Sequence, residues 1–457
     1  MTGKLRGRVR VGRWLRSARR RPGRVLAAAV LAAAGLSVAA TAVSCSTTRP
    51  PAAAPPPPRP PTASVAPVDP RIRVLLAENA PTLQLSVAGP CRIADARGRT
   101  VREFPSGLPA TPVPAAADGI VFSAVPYAFA LPDSHTVPAS TGSHFGADWL
   151  DVVPASPTAL ATLGGRRYRG SLRLLRAGGG LSAINLLDVE DYLPGVLAGE
   201  LPRGWAAEAY KAQAVASRTF VLWEKARRPA SAPFDVRATV ASQMYVGADD
   251  SPHAAEMRRA VAATAGQVLT CDGQLIHAYF CSTCGGMNEP ADHAWPREPM
   301  NAALAGGSAC SWCSISPKYR WGPVVWPKDK LLAKLRRKDP AGFGPGFGTL
   351  AGIEPAGRTR SGRPVDLRIR GSSGAVVTMN AYQFRLAVSE GEPRERVLPS
   401  SHVEIADKGA TLSFTGRGYG HGVGLCQYGS QAQAAAGRDY RQILGLYYPG
   451  AALAKLR

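Results

Sequence analysis

The chain has 457 residues, with 55 Lys and Arg against 32 Asp and Glu and a formal net charge of +23. No internal repeat divides it, which excludes a solenoid array. No basic cluster is interleaved with aromatics and no nucleic-acid motif is present, which excludes nucleic acid as the partner of that charge. Ten of the basic residues fall between Lys4 and Arg24 with no acid among them, so the rest of the chain carries +13. Outside a cytoplasm such a surplus suits anionic wall polymer or lipid head groups, or it is simply a solvated surface.

The basic stretch is followed by the apolar run Val25 to Ser44, and together they form an export signal over residues 1–44. Its end, Ala42-Val43-Ser44-Cys45, looks like a lipobox with Ala in place of the usual Leu, so Cys45 is the expected lipidation site and first mature residue. An uncleaved membrane anchor and ordinary signal cleavage are the alternatives. All three place the body outside the cytoplasm, and the first makes it a membrane-anchored lipoprotein. Residues 45–68 form a Pro-rich linker, STTRPPAAAPPPPRPPTASVAP at its centre, which favours extended conformations and buries no core. The remaining region, 69–457, is long enough for two lobes.

From 71 to 195, short runs such as IRVLLA, LQLSVA and SAINLL are broken by Gly, Pro and Asp clusters, as short strands are. Helical periodicity takes over after Pro202: Ala209, Ala212 and Ala216 recur at i, i+3 and i+7 and continue into Phe220 and Trp223, one narrow apolar face. Glu200 stands just before this helix, where helix-end groups act on a carboxylate; a cap or salt bridge is its structural alternative. Farther on, Cys281-Ser-Thr-Cys284 and Cys310-Ser-Trp-Cys313 are two CxxC pairs separated by 25 residues, close to the spacing of a tetrahedral zinc site. Disulfides are the alternative for four thiols in an oxidising compartment. His277, four residues before Cys281, is a reserve ligand. In the run from Arg417 to Gly429, glycine occupies every second position from 418 to 424, which suits a close approach to a ligand or an irregular turn.

The segment DYLPGVLAGELPRGWAAEAYKAQAVASRTF (191–220) resembles the signature of the stage II sporulation protein D (SpoIID) family with its LytB amidase-enhancer relatives. In that pattern a YLxGV strand end, a glutamate and a proline precede an Ala- and Gln-rich helix. SQMYVGA (242–248), AVAATAGQVLTCDGQLIHAYFCSTCGG (260–286), SGRPVDLRIRG (361–371) and GRGYGHGVGLCQYGSQAQAAAG (416–437) follow in order, before ILGLYYPGA. The resemblance implies a peptidoglycan lytic transglycosylase acting on glycan strands stripped of stem peptides, with Glu200 catalytic. It further implies that Gln213, Arg218, His421, Gln427 and Tyr428 line the glycan groove. Cys426 replaces a common Ser. As general acid, Glu200 would protonate the glycosidic oxygen between N-acetylmuramic acid and N-acetylglucosamine, and as base it would then deprotonate the muramyl C6 hydroxyl, closing a 1,6-anhydro ring. Ordinary hydrolysis usually needs a second carboxylate; Asp191 and Glu208 are the nearby ones.

The expected protein is therefore a mixed α+β exported enzyme, with short strands and helices forming two lobes around a glycan-binding groove and a structural zinc on Cys281, Cys284, Cys310 and Cys313. Its partners are peptidoglycan strands, a cell-wall amidase, and the membrane through a lipid anchor. A non-catalytic wall-binding activator of an amidase is the competing class. A metal-dependent hydrolase is disfavoured, since four thiolates close a zinc shell and leave no position for water.

Overall fold

The computed structural model describes residues 68–456 apart from 115–119, 123–142, 147 and 253. The expected export signal, Cys45 and nearly all of the Pro-rich linker lie outside the described residues. Among the described residues no helix is long and apolar enough to cross a membrane.

The architecture is mixed α+β. The short runs from residue 71 onward build a seven-stranded sheet whose centre is Arg71–Ala80, Gly180–Asp188, Ser171–Ala177 and Trp149–Pro154, all antiparallel neighbours in that order. A four-stranded sheet of Arg166–Tyr168, Ala161–Leu163, Thr82–Ala88 and Gly107–Pro114 shares its hydrophobic core. Gly180–Asp188 is buried on both faces, which is why its sequence reads as a nearly continuous apolar run rather than an alternating one. The one amide inside it, Asn185, is fully hydrogen-bonded: its Nδ2 donates to the Arg169 and Ser171 carbonyls, and Tyr245 Oη donates to its Oδ1.

The helices among the described residues are α1 (Val189–Glu200), α2 (Ala207–Arg227), α3 (Ala254–Ala263), α4 (Ala291–Ala294), α5 (Lys328–Lys338), α6 (Ala381–Ser389), α7 (Gln427–Ala435) and α8 (Tyr440–Tyr447). The first of these differs from expectation, because YLPGV is not a strand end. Asp188 caps a helix there, its side chain accepting the Glu190 N–H at 2.8 Å, and α1 tolerates Pro194 and runs on to Glu200 itself.

Helix α2 falls where the alanine periodicity places it, yet it has no exposed face through its middle: every residue from Ala212 to Leu222 is buried. The reason is its position between two cores. Tyr210, Ala214, Val221 and Leu222 pack with the N-terminal sheets, while Ala212, Val215 and Ala216 pack with the cysteine-rich region and α8. Small residues on both sides allow that double approach.

Residues 320–417 form a further body with its own core. Two three-stranded sheets, one of Arg320–Pro327, Thr411–Arg417 and Val403–Asp407 and one of Leu350–Arg358, Pro364–Gly371 and Val376–Asn380, pack with α5 and α6 around Trp326, Phe343, Phe347, Phe384 and Phe414. The chain then returns as Leu425–Cys426, pairing in parallel with Phe280–Cys281.

Candidate active site

The last residue of α1, Glu200, opens into a groove of about 860 Å³. Two contacts hold its carboxylate: the Met244 N–H donates to Oε1 at 2.7 Å, and the Gln427 Nε2 donates to Oε2 at 3.4 Å. Gly195 and Gly199 explain the first. A Cβ on Gly195 would lie 2.3 Å from the Gly247 carbonyl oxygen, and one on Gly199 2.7 Å from that of Met244. The glycines of GVLAGE thus bring the chain's own segment 244–247 against the helix, rather than making room for a sugar.

Burial raises the Glu200 pKa above its ordinary value, while the bonds from Met244 and Gln427 oppose the rise by favouring the anion. The end of α1 at which it stands is the carbonyl end, so the helix dipole acts in the same direction as burial. A carboxylate just ahead of a helix start would feel the opposite sign.

Aromatic side chains dominate the groove, as suits the faces of sugar rings. Trp205 and Tyr428 meet edge to face with centroids 5.1 Å apart beside Glu200. Tyr279 stacks on Trp295 at 4.1 Å, and Trp295 in turn meets His421 at 4.9 Å and Tyr382 at 5.6 Å. The His421 Nδ1 accepts the Val423 N–H at 3.0 Å, and burial pulls its pKa down to about 3, so the ring is neutral at neutral pH. Glycines 418, 420, 422 and 424 all have positive φ, which lets this turn bring Tyr419 and His421 to the groove.

Of the residues expected to line the groove, Glu200, His421, Gln427 and Tyr428 do so, and Gln213 and Arg218 do not. Gln213 is buried with its Nε2 donating to Ser217 Oγ at 3.0 Å. Arg218 has no exposed surface and is engaged in a bidentate pair with Glu190, at 2.8 and 2.7 Å, with further bonds to the Gln267 and Val261 carbonyls. It ties α2 to α1. Arg218→Met would strip two buried carbonyls of a donor and take the cation from Glu190, a loss of about 1–3 kcal/mol, less than for a fully buried pair because Glu190 is partly exposed and keeps the Gly266 N–H. Denaturant unfolding checks this, with glycan affinity of the folded protein expected to stay near that of the parent.

Neither carboxylate offered as a second catalytic acid faces the groove. Asp191 lines a separate cavity of about 390 Å³ with Arg169 and Arg258. Glu208 pairs with Lys211 and accepts the Tyr440 N–H at 2.9 Å. Among the residues lining the groove, Glu200 is the only acid. Trp295, Tyr382, Arg385 and Tyr419 are groove residues that the sequence reading missed. Tyr419 stood within a matched motif, whereas no local signal marks the other three.

The cysteines need one correction. The four thiols that converge are Cys284, Cys310, Cys313 and Cys426, all buried, with sulfurs within 4.8 Å of one another. Cys281 lies outside that set, buried in the same core and bordering the groove against Gly420, with burial pushing its thiol up to about 12. Cys426 takes the place expected for it because the Leu425–Cys426 ladder delivers it beside the hairpin, where its Sγ accepts the Cys284 N–H at 3.3 Å. His277 is no reserve ligand: its two ring nitrogens face Glu298 at 2.9 Å and Glu224 at 3.2 Å, and the ring stacks on Trp223.

The four-thiol set fits a metal ion. A tetrahedron with metal–sulfur bonds near 2.3 Å separates its sulfurs by about 3.8 Å, and Cys284 and Cys313 stand 3.6 Å apart as free thiols. The thiols' mutual hydrogen bonds pull Cys310 and Cys313 down while those bonds and burial push Cys284 and Cys426 up, so without a cation the four do not all ionise, and a metal would have to displace protons from the last two. Gly429 leaves the space open, since a Cβ there would come within 2.8 Å of the Cys310 sulfur.

Comparisons with known proteins match both parts of this site. The SpoIID family model, described as a stage II sporulation protein, covers residues 177–271, which include α1, Glu200 and α2. A second model, a domain of unknown function (DUF8618), covers 313–424, which include Tyr382, Arg385, Tyr419 and His421. An uncharacterized protein of Brachyspira hyodysenteriae is 30% identical over 289 residues, 63% of this chain and 73% of its own. Stage II sporulation protein D of Bacillus amyloliquefaciens is 29% identical over 282 residues, 59% of this chain and 74% of its own. The amidase enhancer of Bacillus subtilis is 26% identical over 297 residues, 57% of this chain and 40% of its own.

Proposed function

The chain belongs to the stage II sporulation protein D family, and from that premise we propose that it is an exported peptidoglycan lytic transglycosylase. It cleaves the bond between N-acetylmuramic acid and N-acetylglucosamine in strands freed of stem peptides and leaves a 1,6-anhydro end. The observation that carries this reading is the solitary acid: among the described residues Glu200 is the one carboxylate lining an aromatic groove. Inverting and retaining hydrolases usually use a second carboxylate, whereas ring closure by the sugar's own hydroxyl needs none.

Glu200 first gives its proton to the glycosidic oxygen as the C1–O bond breaks. It then takes the proton of the muramyl C6 hydroxyl as O6 bonds to C1, so the residue ends as it began. Gln427 and the Met244 amide hold the anion between the two steps. Mass spectrometry of products from purified denuded strands tests the proposal, with an anhydro end as the expected result.

A second reading, a wall-binding activator of an amidase, is favoured by the relative named an amidase enhancer. On that reading the strands are bound and no new end appears.

Cys284, Cys310, Cys313 and Cys426 would hold one zinc ion. Bound there, the metal supplies folding energy and no reactive water, since four thiolates fill its shell. The protein is anchored through a lipid on Cys45. A Cys45→Ala chain is expected to leave the membrane fraction or to remain an unprocessed precursor; an unchanged mature mass with unchanged membrane retention would rule the anchor out.

A further inference from the structure

Two charged side chains line the groove, Glu200 and Arg385. The second has no part in the chemistry above. Arg385 extends from α6, where its Nε donates to the Leu398 carbonyl at 3.0 Å and its guanidinium stands 5.8 Å from the centre of the Tyr382 ring. Its titratable neighbours are the phenols of Tyr382 and Tyr419 and the like-charged Arg363, with no carboxylate among the described residues. The side chain is half-buried, so the guanidinium is reachable from the groove without a partner of opposite charge. The remaining basic candidate in the groove, His421, is neutral, so Arg385 is the sole fixed cation facing a bound strand.

We propose that Arg385 is a specificity residue that binds the free lactyl carboxylate of a muramic acid whose stem peptide has been removed. This rests on the lytic transglycosylase reading of the groove and names what that groove selects. While the peptide is attached, the lactyl group is an amide and carries no charge. Hydrolysis of that amide bond leaves a carboxylate, which matches the planar two-donor edge of a guanidinium. The substrate must then be supplied by an amide-hydrolysing reaction upstream. Burial lowers the Arg385 pKa from its ordinary value, yet an arginine stays charged at any pH the protein meets, so the groove presents a partly desolvated cation that an anion stabilises. From Arg385, Tyr382 meets Trp295 edge-on and Trp295 stacks on Tyr279, a run of rings along the groove wall against which sugar rings can lie.

The test measures binding, not turnover, using full-length Glu200→Gln protein and two glycan oligomers that differ only in the lactyl group, free acid or methylamide. The acid is expected to bind roughly tenfold to a hundredfold more tightly than the amide, the range for hydrogen bonds to a charged group. Adding Arg385→Met should erase that preference and leave amide affinity within about twofold, while Arg385→Lys should keep part of it. Equal affinity of the parent for acid and amide would overturn the proposal without any variant, which covers the case in which Arg385→Met fails to fold. Equal weakening toward both ligands would overturn it too, showing that Arg385 only supports the groove wall. A clear preference for the acid in a protein that never yields an anhydro end would sink the transglycosylase reading and leave the carboxylate site standing.

Discussion

Glu200→Gln is expected to lower the rate of anhydro-product formation by a hundredfold or more, the scale for a positioned residue that serves as both acid and base. Glutamine keeps the size of the side chain and an oxygen for the Met244 N–H, so folding and strand binding should survive. Stability offers an internal check. Because burial raises the Glu200 pKa in the folded state, the stability it contributes is fully present below the unfolded-state pKa and is lost as pH rises through the folded value. Above its folded-state pKa the parent holds a buried anion that the variant lacks, so in that range Glu200→Gln should unfold at the same or a higher denaturant concentration.

The pH dependence of cleavage follows from the same shift. The reaction starts from protonated Glu200, so kcat/KM should fall on the alkaline side with an apparent pKa above the ordinary glutamate value of about 4.3. Gln427→Leu removes a bond that favours the anion, which should move that limb to still higher pH. Near-parental anhydro formation by Glu200→Gln would place the catalyst elsewhere.

What the sequence revealed about this site divides along local and long-range lines. The small-residue spacing of α2 and the place of Glu200 ahead of it are local, and both are where the pattern put them. The direction of α2's polar residues was readable too, but only by phase. At about 100° per residue, Arg218 lies about 200° from Phe220, and Phe220 lines the groove; a residue on the opposite face meets Glu190 instead. Gln213 shares the phase of Phe220, and phase alone does not show that other chain covers it. The YLPGV stretch resembled a strand because Pro194 lowers helix propensity, and the Asp188 cap and tight packing of α1 outweigh it.

The expected removal of metal by Cys426→Ser turns on the same distinction. Paired CxxC spacing names four ligands from two short stretches, and the structure replaces one of them with a thiol 142 residues from Cys284. Cys426 is the N-cap of α7, whose first residues are Gln427 and Tyr428. A metal bound through Cys426 would therefore fix the start of the helix that supplies the Glu200 contact and part of the groove wall. Serine offers no thiolate, so Cys426→Ser protein should hold no zinc against about one per chain in the parent. It should also melt at a markedly lower temperature, because structural zinc sites supply folding energy on the order of 10 kcal/mol in isolated fingers, and cleavage should fall with the loss of Gln427 placement. Cys281→Ser is the contrasting variant: its thiol lies outside the converging set, so it should retain the metal, with only the smaller loss in melting temperature of a hydroxyl buried in place of a thiol. Elemental analysis and thermal unfolding of the two proteins, purified without a metal-binding tag, separate the ligand sets. Full zinc in Cys426→Ser with loss in Cys281→Ser would restore the spacing-based set. Intact disulfides among these cysteines with no metal in the parent would remove the metal altogether.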